Sequence, residues 1–208
     1  AELLNLARKT GDKIVAMKLH IDILRDFSME LIEELKQISK EKDFLLFEDR
    51  KYADIGNTQE LQFKEGIYRT AAWADMITSH LIAGEESLKV FDNVGVVGIV
   101  EMSSKGALTD EYYVGKALNA ANNAPNVMGV VAQRKVSDHL LLFTPGVNFS
   151  SSGDSKGQQY NTPAKVFSEY HTDFIIVGRG IYQSAEPAEA AEKYRALGWE
   201  AYLDSLKD

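Results

Sequence analysis

The chain has 208 residues, 45% of them hydrophobic, no cysteine and a net charge of −8. It can bury one substantial core, and without cysteine it can have no disulfide framework, thiolate metal site or cysteine nucleophile. The acidic balance argues against a general nucleic-acid binder, which needs a basic face, and no apolar run reaches membrane-spanning length. A small anionic ligand stays compatible, because a few fixed cations and backbone amides can hold a phosphate locally.

In chain order, residues 1–10 read as a helix and Ile14–His20 as a strand carrying Lys18 and His20 on one side with Ile14 and Ala16. A lysine near the end of a buried strand is costly unless a carboxylate is close. An amphipathic stretch, Met29–Lys40, follows, and then FLLFEDRKYADIGNT over Phe44–Thr58. Phe44–Asp49 reads as a buried strand; extended to Lys51, its period of two puts Asp49 and Lys51 on the side of Leu45 and Phe47. Asp54 comes three residues later, in a turn that Gly56 permits. Since consecutive strands of a parallel barrel are usually neighbours, an alternating set Lys18, Asp49, Lys51, Asp54 is expected at the carboxyl end of the strands. That is where α/β proteins build active sites. A structural charge network is the competing reading.

Beyond Thr58–Ala72, read as a helix, come strands Asp75–His80 and Val94–Glu101, the latter leading into Met102–Gly106, where Ser103 can hydrogen-bond a polar ring. Helix Tyr112–Asn122 precedes strands Val127–Ala132 and Leu140–Pro145. The second of these ends in Thr144-Pro145-Gly146 and a long Ser/Gly-rich segment containing Gln158 and Tyr160. Segments of that length are lids, binding loops or disordered insertions. Helix Thr162–Tyr170 leads to strand Asp173–Gly178 and the triplet Gly178-Arg179-Gly180, and Pro187–Leu197 is the last helix. Arginine between glycines suits phosphate, because the backbone can approach closely and the guanidinium offers paired donors.

Strands alternating with helices indicate a parallel sheet covered by helices, and without a Pro/Ser-rich linker the chain reads as one domain over residues 1–208. A closed (β/α)8 TIM barrel needs eight strands, whereas seven are visible here. The fold is therefore an open sheet or, the favoured expectation, a barrel whose first strand precedes Ala1. His20, His80, His139 and His171 lack metal-ligand spacing and are read as structural. There is no nucleophilic serine elbow, Walker loop or dinucleotide GxGxxG, and no evident handle for a metal or organic cofactor.

FEDRKYADIGNT, TPGV, GQQY and IIVGRG, in this order and spacing, closely resemble the eukaryotic-type orotidine 5′-monophosphate decarboxylases. The likeness extends to MKLHIDILRDFSME near the start and GWEAYL near the end. It implies a (β/α)8 barrel, usually dimeric and cytoplasmic, that needs no cofactor or metal and converts orotidine 5′-monophosphate to uridine 5′-monophosphate and carbon dioxide. By motif, Lys18, Asp49, Lys51 and Asp54 match the charged catalytic array, with Lys51 as the proton donor to C6. Asp54 and Thr58 would be contributed across the dimer interface. Ser103 matches a pyrimidine contact, Pro145 a further substrate contact, and Gln158, Tyr160, Gly178 and Arg179 the phosphate grip. The resemblance also implies an opening strand of LCxSLD type, which would precede Ala1. The alternatives are a metal-dependent sugar-phosphate lyase or synthase of the same barrel group, and a non-catalytic nucleotide-binding fragment.

Overall fold

A computed structural model describes residues 2–149, 161–205 and 207. The chain divides into two compact units, Ala1–Gly98 with Ala120–Met128, and Ile99–Asn119 with Gly129–Asp208.

The first unit opens with helix α1 (Glu2–Thr10), which buries Leu4 and Ala7 and packs beside α2 (Met29–Lys42). Between them runs strand β1 (Ala16–Leu19), shorter at both ends than expected and flanked by 3₁₀ turns at Gly11–Lys13 and Ile21–Ile23. In α2, Ile32, Leu35 and Ile38 recur at helical spacing and form its buried stripe. Ser28 caps its start by accepting the Leu31 N–H at 3.2 Å, and Asp43, in the left-handed region, ends it. Strand β2 (Leu45–Tyr52) pairs in parallel with β1, Lys18 opposite Phe47 and Leu19 opposite Glu48. A short α3 (Gly56–Glu60) and a π-helical turn at Leu61–Glu65 replace the single helix expected over Thr58–Ala72. Gly66 ends that run, and a separate 3₁₀ turn covers Thr70–Ala72. Strands β3 (Met76–His80) and β4 (Gly95–Ile99) follow, and the order β1-β2-β3-β4 repeats the chain order. Tyr52, at the end of β2, packs against Phe63 and Phe91 with ring centroids 6.0 and 5.1 Å away. Phe63 and Phe91 meet edge to face at 5.2 Å. Each such burial contributes about 1.5–3 kcal/mol, so the strand end beyond Lys51 is firmly anchored.

Helix α4 (Glu111–Asn123) and strand β5 (Val127–Val131) each have residues in both units, and β5, β6 (Leu141–Thr144) and β7 (Phe174–Ile175) are parallel neighbours. The expected buried strand Asp173–Gly178 shrinks to two half-buried residues. It is nevertheless tied to β6: Phe143 and Phe174 stack at 4.9 Å and the Thr144 hydroxyl donates to Thr172 Oγ1 at 2.9 Å. Helices α5 (Pro163–Ser168), α6 (Arg179–Tyr182) and α7 (Pro187–Ser205) complete the second unit, with Val147, Val166, Phe167 and Tyr194 as a core cluster. α7 continues two turns past the expected Leu197, because neither Gly198 nor any proline interrupts it.

Candidate active site

The charged residues of the first unit come together at the carboxyl ends of β1, β2 and β3. Asp49 is the centre. Its Oδ2 accepts from Lys18 Nζ at 2.7 Å, and its Oδ1 accepts from Lys51 Nζ at 2.7 Å and from the Thr78 hydroxyl at 2.8 Å. The Asp49 side chain is only 10% exposed, against 22% for Lys18 and 35% for Lys51. Burial alone would raise its pKa and is the largest single influence. The two ammonium groups outweigh it together and hold the carboxyl far below the usual carboxylate range. Asp49 is therefore a carboxylate, and each lysine is directed by one of its oxygens.

Lys51 reaches this position by an irregular backbone. The strand keeps register with β3 through Glu48 opposite Ile77, and regains it only at Tyr52 opposite Ser79. Four steps along β2 thus match two along β3, a bulge. Lys51 sits in it with φ at +55°, a conformation that costs a non-glycine residue roughly 1–3 kcal/mol. Regular alternation over Leu45–Lys51 does not hold. Leu45 is 42% exposed, whereas Leu46, Phe47, Glu48 and Asp49 are all buried, so both faces of the strand are covered before the bulge turns Lys51 toward Asp49.

His20, read from the sequence as structural, lies within the cluster. Its Nε2 lies 3.0 Å from Lys18 Nζ and 3.4 Å from Asp49 Oδ2. Burial first, and the Lys18 charge second, push its pKa down, so the neutral ring accepts from the ammonium. His80, at the end of β3, is likewise pushed down by burial and then by Lys51. Glu48 points away from Asp49 into the interior, where it is completely buried and both its oxygens accept the Ile21 N–H, at 3.1 and 3.2 Å. Burial raises its pKa to about 8, leaving it a neutral acid at pH 7. Thr78 belongs to none of the quoted motifs, and Glu48, although within FEDRKYADIGNT, is given no role from the sequence.

Asp54 does not complete the expected foursome within the chain. It stands in the turn before α3, where its Oδ1 accepts the Ile55 N–H at 2.8 Å and its own N–H donates to Gln59 Oε1 at 3.1 Å. It shares with Lys51 a cavity of about 240 Å³ also lined by Arg50, Tyr52 and Gln62. Thr58, in α3, is exposed.

In the second unit, Ser103 is half-buried in the segment after β4. Pro145 directly follows β6 and is also half-buried. The chain on either side of residues 150–160 is stapled at its base: the Asn148 N–H donates to Asn161 O at 3.0 Å and the Asn161 N–H to Gly146 O at 2.7 Å. Gln158 and Tyr160 lie outside the described residues. Gly178 caps α6 and Arg179 is its first residue, both exposed. The two glycines beside Arg179 have different reasons. A Cβ at Gly180 would sit 2.5 Å from the Tyr194 hydroxyl, so packing against α7 demands its absence, whereas a Cβ at Gly178 would meet only Tyr182, at 3.6 Å.

Residues 1–194 match the family described as orotidine 5′-phosphate decarboxylase / HUMPS. The chain is 42% identical to an orotidine 5′-phosphate decarboxylase of Mucor circinelloides f. lusitanicus, over 99% of this chain and 82% of that protein. It is 41% identical to a uridine 5′-monophosphate synthase of Bos taurus, over 99% of this chain and 45% of that protein. Among solved structures, the orotidine 5′-monophosphate decarboxylase of Methanocaldococcus jannaschii complexed with the inhibitor BMP matches with a TM-score of 0.69 at 26% identity, over 94% of this chain and 92% of that one.

Proposed function

Because this chain belongs to the orotidine 5′-phosphate decarboxylase / HUMPS family, we propose that it decarboxylates orotidine 5′-monophosphate to uridine 5′-monophosphate. The observation that carries the mechanism is Asp49 held ionised between two lysine ammonium groups. Loss of carbon dioxide from C6 leaves an electron pair in a ring-plane orbital that the pyrimidine π system does not delocalise. Lys51 supplies a fixed positive charge beside that pair, which stabilises it where it develops, and then gives its proton to C6. The N–H bond breaks, the C6–H bond forms, and the resulting amine is recharged from water. Asp49, beside the departing carboxylate, adds a like-charge repulsion that vanishes as carbon dioxide leaves. Lys18, braced by Asp49 and His20, keeps Asp49 ionised and directed.

Substrate contacts are assigned by motif: Ser103 to the pyrimidine, Pro145 alongside the nucleotide, and Gln158, Tyr160, Arg179 and the Gly178 backbone to the phosphate. Asp54 and Thr58 are assigned to the partner's site in a homodimer. Support for an interface there comes from exposed apolar residues around them, Ile55 at 64%, Leu61 at 48% and Ile67 at 74%. The whole chain is taken as one decarboxylase domain, since the family match is continuous over residues 1–194. A cytoplasmic location suits a biosynthetic enzyme, and among the described residues no helix is long and apolar enough to cross a membrane.

The test is decarboxylation of orotidine 5′-monophosphate in the presence of a chelator, with Lys51→Ala as the control. Turnover that survives chelation and disappears in the variant supports the proposal. Turnover that requires a divalent metal points instead to the sugar-phosphate lyases and synthases, and uridine monophosphate binding without turnover to a nucleotide-binding role.

A further inference from the structure

Within the proposed decarboxylation, on which this inference rests, we infer that Thr78 is a positioning residue that sets Asp49 and Lys51 relative to one another. Its hydroxyl does two things at once. The oxygen accepts the Lys51 backbone N–H at 2.9 Å, and the hydroxyl hydrogen goes to Asp49 Oδ1 at 2.8 Å. Thr78 is 1% exposed, so water cannot substitute for either bond.

The need for such a group follows from the bulge. Where β2 leaves register with β3, the Lys51 amide loses its place in the ladder, yet a buried N–H without an acceptor is costly. The positive φ of Lys51 persists only if the surroundings over-determine it. A threonine on the neighbouring strand supplies the missing acceptor. Its own proton is then committed to Asp49 Oδ1, the oxygen that also receives the Lys51 ammonium. Backbone and side chain of Lys51 are thereby referred to one hydroxyl, and the ammonium is aimed by a closed circuit: Lys51 amide, Thr78 oxygen, Asp49 carboxylate, Lys51 Nζ. Valine would fill the same space with no polar atom, whereas serine keeps the circuit and gives up only a methyl group.

The experiment compares Thr78→Val and Thr78→Ser with the unaltered chain, measuring kcat and KM for orotidine 5′-monophosphate and hydrogen–deuterium exchange at the Lys51 amide. Losing a hydrogen bond to a charged group predicts a fall in kcat of roughly 10- to 100-fold in Thr78→Val. KM should change less than about threefold, because the hydroxyl acts on the reacting groups and not on binding. Lys51 amide exchange should accelerate, and Thr78→Ser should restore most of both the rate and the protection. Unchanged kcat in Thr78→Val overturns the inference. So does failure of serine to rescue, which would assign the effect to the methyl group's packing. If the unaltered chain does not decarboxylate orotidine 5′-monophosphate, the functional reading falls by itself. The Lys51 exchange rates then decide the positioning claim: faster in valine and restored in serine upholds it, unchanged in valine refutes it.

Discussion

Replacing Glu48 with glutamine should remove a large part of the dependence of stability on pH. Glu48 is completely buried behind the catalytic cluster, and its pKa is raised from the ordinary 4.5 to about 8, chiefly by burial and further by the charges of Asp22 and Asp49. The Ile21 N–H and the Lys18 charge act the other way and do not overcome burial. The folded protein therefore holds this proton more tightly than the unfolded chain. The stabilisation is complete below the unfolded pKa and is lost as pH rises through the folded one. In between, stability falls by slightly more than ~1 kcal/mol per pH unit, on the order of several kcal/mol over the whole window. Glutamine keeps an acceptor for Ile21 but has no proton to lose. Urea unfolding at about pH 5, 7 and 9 reads the effect as the difference between the two proteins, so that all other titrating groups cancel. The variant should gain on the wild type as pH rises from 5 to 8 and gain nothing more above it. Parallel loss of stability in the two proteins would refute the assignment of a buried neutral acid.

Lys51→Ala should abolish turnover while uridine monophosphate still binds within a few-fold of wild type by calorimetry, since the ammonium acts mainly on charge that develops in the transition state. Arg179→Ala should raise KM strongly, by on the order of 10²-fold for a lost bidentate phosphate contact, and added guanidinium should recover part of the rate. Lys51→Ala and Asp54→Ala chains, each inactive alone, should regain roughly a quarter of wild-type activity when unfolded and refolded together, because one site of each mixed dimer is then intact. Recovery no greater than the sum of the two homodimers would put Asp54 outside the shared site.

Much of the architecture was readable before any coordinate. The strand and helix runs from Ile14 to the helix at Pro187 recur in the structure, most with shifted ends, because apolar periodicity reports locally on which face of an element is covered. The failures have identifiable causes. Thr58–Ala72 has helical periodicity, yet Gly66 and a π-helical turn divide it. FIIVGRG suggests a longer strand than Phe174–Ile175, since its apolar content serves packing against α5 and α7 as well as pairing.

The chain sequence alone determined that strands would alternate with helices, and that lysines and aspartates would lie at strand ends, since both depend on residues a few positions apart. Only the tertiary structure decided what those charges are. Glu48 and Asp49 are adjacent and chemically alike, yet one is a neutral acid in the interior and the other a carboxylate between two ammonium groups. That difference is made by burial, which raises Glu48, and by the ammonium groups of Lys51 and of Lys18, the latter on the neighbouring strand and about thirty residues away in the chain, which hold Asp49 ionised. Protonation state depends on solvent exclusion and on charges near in space, and at the bulge the Lys51 amide finds its acceptor in a hydroxyl of β3. Neither is a property of any short stretch of sequence.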